Sequence, residues 1–279
     1  MINWYPGHMT KAMRMIEENL RLVDVIVYVL DARAPYSCIN PHFDSMIAGL
    51  PVIYAVNKAE LGDSRRVKEW LNYLTGERST AVALSATASK STVPILSAIT
   101  SLCGEKIEKY RKKGVRTGIR CMVLGVPNTG KSTIINNLCG SKRTVTGNKA
   151  GVTRGKQWVR VNDRLDVLDT PGTLYPKLSD QTVARRLAFI GSIKDEILDT
   201  YELACDLVTE LNAVNGALIG GRYGIATTDG EACIEQIARA RGYLLRGGVA
   251  DTERAAAALI DDFRSGKLGA VTLDSVGEL

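Results

Sequence analysis

No stretch of this 279-residue sequence stays apolar over the roughly 18 to 20 residues that a membrane-spanning helix needs, so no bilayer span is expected. The opening Met1-Ile2-Asn3-Trp4-Tyr5-Pro6-Gly7-His8 shows neither a basic segment leading into an apolar one nor an Arg- and Ser-rich stretch, which leads to the expectation of a cytoplasmic protein. Cysteine is sparse. Cys38, Cys103, Cys121, Cys139, Cys205 and Cys233 never form a Cys-x-x-Cys pair and most sit in apolar surroundings, so buried, reduced thiols are expected. Histidine occurs only at His8 and His42, and no internal repeat or low-complexity segment stands out.

What is present fits a soluble globular chain, 45% hydrophobic and 24% charged, long enough for one large domain and a smaller one. The net charge of +6 is unevenly placed: residues 1–179 carry 26 Lys+Arg against 14 Asp+Glu, and residues 180–279 carry 10 against 16. A basic field this broad favours a polyanionic partner larger than a nucleotide, with solvated surface lysines as the plainer alternative.

The hydrophobic pattern is that of an α/β protein. Thr10 can cap a helix with Met13, Ile16, Leu20 and Val23 on one stripe. Val25 to Leu30, Pro51 to Val56 and Thr80 to Leu84 read as buried parallel strands ending at Asp31, Asn57 and Ser85. Helical patterns at Arg65 to Leu74 and Val93 to Arg111 alternate with them, as in a doubly wound sheet. A basic linker near Lys109 to Gly118 leads to a strand at Arg120 to Leu124, a helix near Lys131 to Leu138, and strands near Gln157 to Val161 and Leu165 to Leu168. Beyond Lys177 the texture turns helical, with stripes at Val183, Leu187 and Ile190, at Ala204, Leu207 and Leu211, and at Ile234 and Ile237. Asp251 is expected to cap a last helix carrying Ala255, Leu259 and Phe263. The expected division is 1–177 and 178–279.

Gly125-Val126-Pro127-Asn128-Thr129-Gly130-Lys131-Ser132 lies between a strand and a helix and matches the phosphate-cradling P-loop, whose backbone N–H groups and helix N-terminus hold phosphates. Lys131 would reach the β and γ phosphates and Ser132 would ligate Mg²⁺, with Asn128, Thr129, Gly130 and Thr133 completing the phosphate contacts. Asp169-Thr170-Pro171-Gly172 ends an apolar strand, where Asp169 can hold Mg²⁺ and the Gly172 N–H can meet the γ phosphate. Between them Thr153, in Gly151-Val152-Thr153-Arg154, would give a second hydroxyl to Mg²⁺ from a switchable loop.

Asn57-Lys58-Ala59-Glu60 is similar to the Asn-Lys-x-Asp of GTPases, in which the acid takes the guanine N1 and N2 hydrogens and the lysine covers the ring; Glu60 is one methylene longer than aspartate. Ser85-Ala86-Thr87 resembles their second guanine loop. Both precede the P-loop here, whereas ordinary GTPases place them after it, so the chain resembles circularly permuted GTPases. A doubly wound domain whose termini lie close together tolerates such a rearrangement.

Trp4-Tyr5-Pro6-Gly7-His8-Met9, Asp31-Ala32-Arg33-Ala34-Pro35, Asn57-Lys58-Ala59-Glu60, the P-loop and Asp169-Thr170-Pro171-Gly172, in this order, resemble the YlqF/RbgA family of ribosome biogenesis GTPases. Gly191-Ser192-Ile193-Lys194-Asp195-Glu196 and Asp262-Phe263-Arg264-Ser265-Gly266-Lys267-Leu268-Gly269 are similar to that family's C-terminal domain, so the resemblance covers essentially the whole chain. It implies a circularly permuted P-loop GTPase domain followed by a small all-helical domain that contacts ribosomal RNA. It also implies a role in assembling the large (50S) ribosomal subunit, which stimulates turnover, with no membrane or DNA partner. The resemblance further implies that no catalytic glutamine is present, that His8 serves in hydrolysis instead, and that Asn128 helps hold K⁺ beside the phosphates. Thr173 stands where many relatives are aliphatic and Ala150 where they usually have proline, which should loosen that loop. Two other classes stay open on the residues alone: a P-loop ATPase or kinase, disfavoured because adenine has no N1 hydrogen for Glu60 to accept, and a nucleotide-gated RNA-binding module with little catalysis.

Overall fold

The computed structural model describes residues 2, 7–88, 90–114, 118–140, 157–174, 180–226 and 229–278. The side chain of His8, Thr153 with its loop, Ala150 and the expected boundary after residue 177 lie outside the described residues.

Six strands form one sheet. They are β1 (Val25–Asp31), β2 (Val52–Asn57), β3 (Ser79–Ala83), β4 (Ile119–Leu124), β5 (Gln157–Asn162) and β6 (Leu165–Asp169), in spatial order β3-β2-β1-β4-β6-β5. All neighbours pair in parallel except β5, which runs antiparallel to β6 at the edge. Strand β1 explains why the sheet is covered on both faces. Ile26, Tyr28 and Leu30 point into one hydrophobic cluster and Val25, Val27 and Val29 into the other, so every second residue serves the same layer. Each such buried Val, Ile or Leu contributes roughly 1.5–3 kcal/mol of burial.

Helices in chain order are α1 (Gly7–Leu20), α2 (Pro41–Ile47), α3 (Ser64–Leu74), α4 (Val93–Leu102), α5 (Gly104–Lys112), α6 (Lys131–Leu138), α7 (Gln181–Phe189), α8 (Thr200–Asn215), α9 (Ala217–Tyr223), α10 (Gly230–Ala240) and α11 (Thr252–Arg264). α4, α5 and α6 cover one face. α1, α2 and α3 cover the other, and α7 to α11 join them in the same continuous cluster. The C-terminal segment then returns to the loops that follow β2 and β1: Val271 donates its N–H to the Leu61 carbonyl and Leu273 to that of Arg33, while Trp70 Nε1 on α3 donates to the Asp274 carbonyl. The order of elements is permuted as expected, with the strand that feeds the P-loop fourth along the chain and third from the end of the sheet. Among the described residues no helix is long and apolar enough to cross a membrane, and all six cysteines are free thiols.

Two local expectations change. α1 begins at Gly7 rather than after Thr10, because Met9 joins Ala12 and Ile16 in a buried stripe and draws one more turn into the helix. His8 therefore lies within the first turn of α1. The single helix expected over Val93 to Arg111 is two: Cys103 is buried between α4 and α5, and the chain restarts at Gly104, a poor helix former. One helix comes without a prior expectation: α2 is capped by Asn40, whose side chain accepts the His42 N–H, and has proline at its start. His42 itself is exposed.

Candidate functional site

The loop from Gly125 to Gly130 connects β4 to α6, so its backbone N–H groups gather at the α6 N-terminus, which has no side-chain cap and no acidic residue in its first turn. Gly130 is required twice over: its φ is 97°, and an added Cβ would run into the Asn57 amide. Thr129 is fully buried and donates its hydroxyl to the Val126 carbonyl at 3.0 Å. Lys131 is also buried, and its ammonium donates to the same carbonyl at 2.8 Å. Burial pushes the Lys131 pKa down to about 8, against the upward pull of Asp169. Ser132 and Thr133 are half-buried beside it.

Asp169 ends β6 next to this loop, 1% exposed, and its Oδ1 has no hydrogen-bond partner. Burial pushes its pKa up to about 6, opposed by Lys131, by the Ser132 side chain and by the Thr170 backbone, both of which hydrogen-bond to it. A buried carboxylate oxygen without a donor, beside a serine hydroxyl and facing a lysine, is a donor set suited to a hard divalent cation. The following residues run along the P-loop. The Thr170 hydroxyl donates to the Val123 carbonyl at 2.6 Å and the Thr173 N–H to the Gly125 carbonyl at 3.3 Å. A Cβ on Gly172 would lie 2.7 and 2.8 Å from Cα and N of the Pro127 backbone, which cannot swing aside, so only glycine lets the two backbones approach so closely. Thr173 is buried, and its hydroxyl has no partner.

The Asn57–Glu60 and Ser85–Thr87 loops join the P-loop at the same end of the sheet, because the parallel strands β2 and β3 end on the same side as β1 and β4. Asn57 Nδ2 donates to the Thr129 carbonyl at 2.7 Å, and Asn57 Oδ1 accepts the Ala86 N–H at 2.9 Å. Lys58, in a left-handed backbone conformation, donates to the Asn128 carbonyl at 2.9 Å and pairs with Asp31 at 2.8 Å. The Ala59 N–H donates to the Leu84 carbonyl at 3.1 Å, tying the Asn57–Glu60 loop to the start of the Ser85–Thr87 loop, and Ser85 Oγ lies 3.1 Å from Thr87 Oγ1. Glu60 is exposed in the short 3-10 turn Ala59–Leu61.

Sequence reasoning missed two groups of residues around this site. The first is the Asp31–Arg33 pair: burial alone would raise the Asp31 pKa, but the Arg33 and Lys58 cations hold its carboxyl well below the usual range. The second is the turn after α7, where Ser192 Oγ donates to the Pro127 carbonyl at 2.6 Å and the Gly191 carbonyl accepts from Asn128 Nδ2 at 2.5 Å. Both lie in segments that carried the family resemblance, which was the available signal.

A profile of the family described as 50S ribosome-binding GTPase matches residues 120–215. The ribosome biogenesis GTPase A of Priestia megaterium is 38% identical over 281 aligned residues, covering 99% of this chain and 98% of that protein. A solved GDP-bound structure of TM YlqF superposes with a TM-score of 0.67 at 28% identity, covering 95% of this chain and 100% of that one. The crystal structure of GNP-bound YlqF from T. maritima gives 0.65 at 28% identity, over 95% of this chain and 98% of that one.

Proposed function

The chain belongs to the ribosome biogenesis GTPase A family, and from that premise we propose that it binds and hydrolyses GTP at the Gly125–Ser132 loop while acting in assembly of the large ribosomal subunit. The observation that supports this reading is the convergence on Asn57, whose one side chain hydrogen-bonds both to the P-loop and to the Ser85-Ala86 loop and so brings the two loops together at one end of the sheet.

In this reading Glu60 accepts the guanine N1 and N2 hydrogens, Lys58 covers the ring, and the backbone of Ser85-Ala86 meets the base oxygen. The backbone of Asn128 to Thr133 and the α6 N-terminus cradle the phosphates. Lys131 neutralises the β and γ phosphates, and the Gly172 N–H meets the γ phosphate. Ser132, Asp169 and Thr153 would hold Mg²⁺, which when bound neutralises developing phosphate charge; the donorless Oδ1 of Asp169 supports this assignment. Asn128 would share in holding K⁺.

Thr173 is buried and its side chain is too short to orient an attacking water as glutamine does, so His8 on α1 is assigned that part. Its remoteness in sequence from the P-loop fits a group brought into line by the ribosomal particle, with slow turnover otherwise. Residues 1–177 form the nucleotide unit and 178–279 the helical unit that contacts ribosomal RNA, and the protein works in the cytoplasm. The basic excess on residues 1–179 supports a second, electrostatic contact with the same RNA.

The test is sedimentation with purified ribosomal subunits. The protein should travel with the large subunit in the presence of a non-hydrolysable GTP analogue and leave it in GDP. Equal sedimentation in both nucleotides, or none in either, would overturn the ribosomal part of the reading.

A further inference from the structure

Arg33 is the second-largest fully buried side chain described, and all three arms of its guanidinium are engaged. Nε and one terminal nitrogen form a two-point pair with Asp31 at 2.9 and 2.7 Å. The other terminal nitrogen reaches the last carbonyls of α11, Arg264 at 3.1 Å and Phe263 at 3.4 Å, and the guanidinium lies 5.2 Å from the centre of the Phe263 ring. Asp31 in turn fixes Lys58, which donates to the Asn128 carbonyl. One chain of contacts therefore runs from the end of α11 through Arg33, Asp31 and Lys58 into the P-loop.

A second route leaves the same helix end. The Arg264 side chain donates to the Phe189 and Ala188 carbonyls at 3.0 and 2.8 Å and pairs with Asp195 through both terminal nitrogens. This holds the turn after α7, whose Gly191 carbonyl accepts from the Asn128 side chain and whose Ser192 hydroxyl donates to the Pro127 carbonyl. Both routes meet at Asn128.

A buried ion pair is a poor source of net stability, since desolvation offsets most of its attraction, and its best-attested use is to specify one geometry. Arginine suits that use here because its planar fork fixes the plane of the carboxylate it grips, and with it the point where the flexible Lys58 comes to rest. We propose that Arg33 and Arg264 are positioning residues for guanine nucleotide: they couple the end of α11 to Lys58 and Asn128, so that the helical segment sets how long the nucleotide stays bound. A large-subunit contact that shifts α11 would then be read directly as a change in nucleotide residence time. This rests on the reading of Lys58 as the lysine that covers the base.

The experiment follows dissociation of a fluorescent GDP analogue from the full chain by stopped flow, in a double-mutant cycle of Arg33→Lys with Lys58→Ala. Arg33→Lys keeps the charge but loses the fork and the arm to α11. It should speed dissociation about fivefold in the wild-type background and leave it unchanged in the Lys58→Ala background. A purely structural Arg33 would lower the melting temperature and give the same factor, or none, in both backgrounds, which overturns the proposal. If Lys58→Ala alone leaves dissociation unchanged, the base-site reading itself falls. Should Arg33→Lys fail to fold, Arg264→Ala carries the test, because that side chain is partly exposed; its effect on dissociation should vanish in the Asn128→Ala background, and persistence there overturns the proposal.

Discussion

The Asn57 side chain joins two loops, accepting the N–H of Ala86, 29 residues further along the chain, at 2.9 Å while donating to the carbonyl of Thr129, 72 residues along, at 2.7 Å. Neither bond can be replaced by water without opening the site, since Asn57, Ala86 and Thr129 are all buried. Asn57→Ala should therefore cost about 1–3 kcal/mol of stability from two unsatisfied buried groups. GTP affinity should fall about tenfold or more as the base loop parts from the P-loop. Urea unfolding and a nucleotide titration measure the two effects separately, and unchanged affinity would mean that the two loops act independently.

Lys131 should leave a signature in the pH dependence of stability of the nucleotide-free, chelator-treated protein. Its pKa is depressed to about 8 from 10.5, so between those values the unfolded chain binds the extra proton and stability rises as pH increases. Lys131→Met removes that rise and also abolishes hydrolysis. Melting curves across this range decide the first point; an identical slope in the variant would mean that the Lys131 ammonium is not desolvated in the folded protein.

Thr173 hides an unpartnered hydroxyl beside the Gly125 carbonyl segment. Thr173→Val keeps the shape and removes the polar atom, so it should stabilise the protein by about 1 kcal/mol, with GTP turnover close to wild type. Differential scanning calorimetry reads the gain. A loss of turnover would show that the hydroxyl takes part in hydrolysis.

How much of this was readable beforehand depended on range. β1, β2 and β4 announce themselves because strands covered on both faces are continuously apolar, and the P-loop and Asp169 fall where each strand stops. α2 was missed because it is short, although Asn40-Pro41 is a helix-start signal. α9 was missed because Gly220 and Gly221 mask its helical pattern. The break at Cys103 was hidden because both halves share a helical period, and only the burial of Cys103 separates them. Asp31 and Arg33 were visible as a motif, but their meaning lies in carbonyls some 230 residues away, and no local pattern encodes a contact of that range.

Base choice bears on Glu60, exposed on its turn and one methylene longer than the aspartate of most GTPases. A clear preference for GTP over ATP is expected in competition titrations, and Glu60→Asp should sharpen it if this carboxylate reads guanine. Equal affinity for the two nucleotides, or no change on substitution, would remove Glu60 from base recognition.

Single-turnover hydrolysis with and without saturating large subunits decides whether GTP turnover in this chain is switched on by the large ribosomal subunit. Slow hydrolysis by the free protein and marked acceleration by the subunit are expected. Neither should occur in Lys131→Ala, and His8→Ala should lose most of the acceleration while GTP and subunit binding persist. Hydrolysis that the large subunit leaves unchanged, or that survives in Lys131→Ala, would contradict a subunit-triggered GTPase.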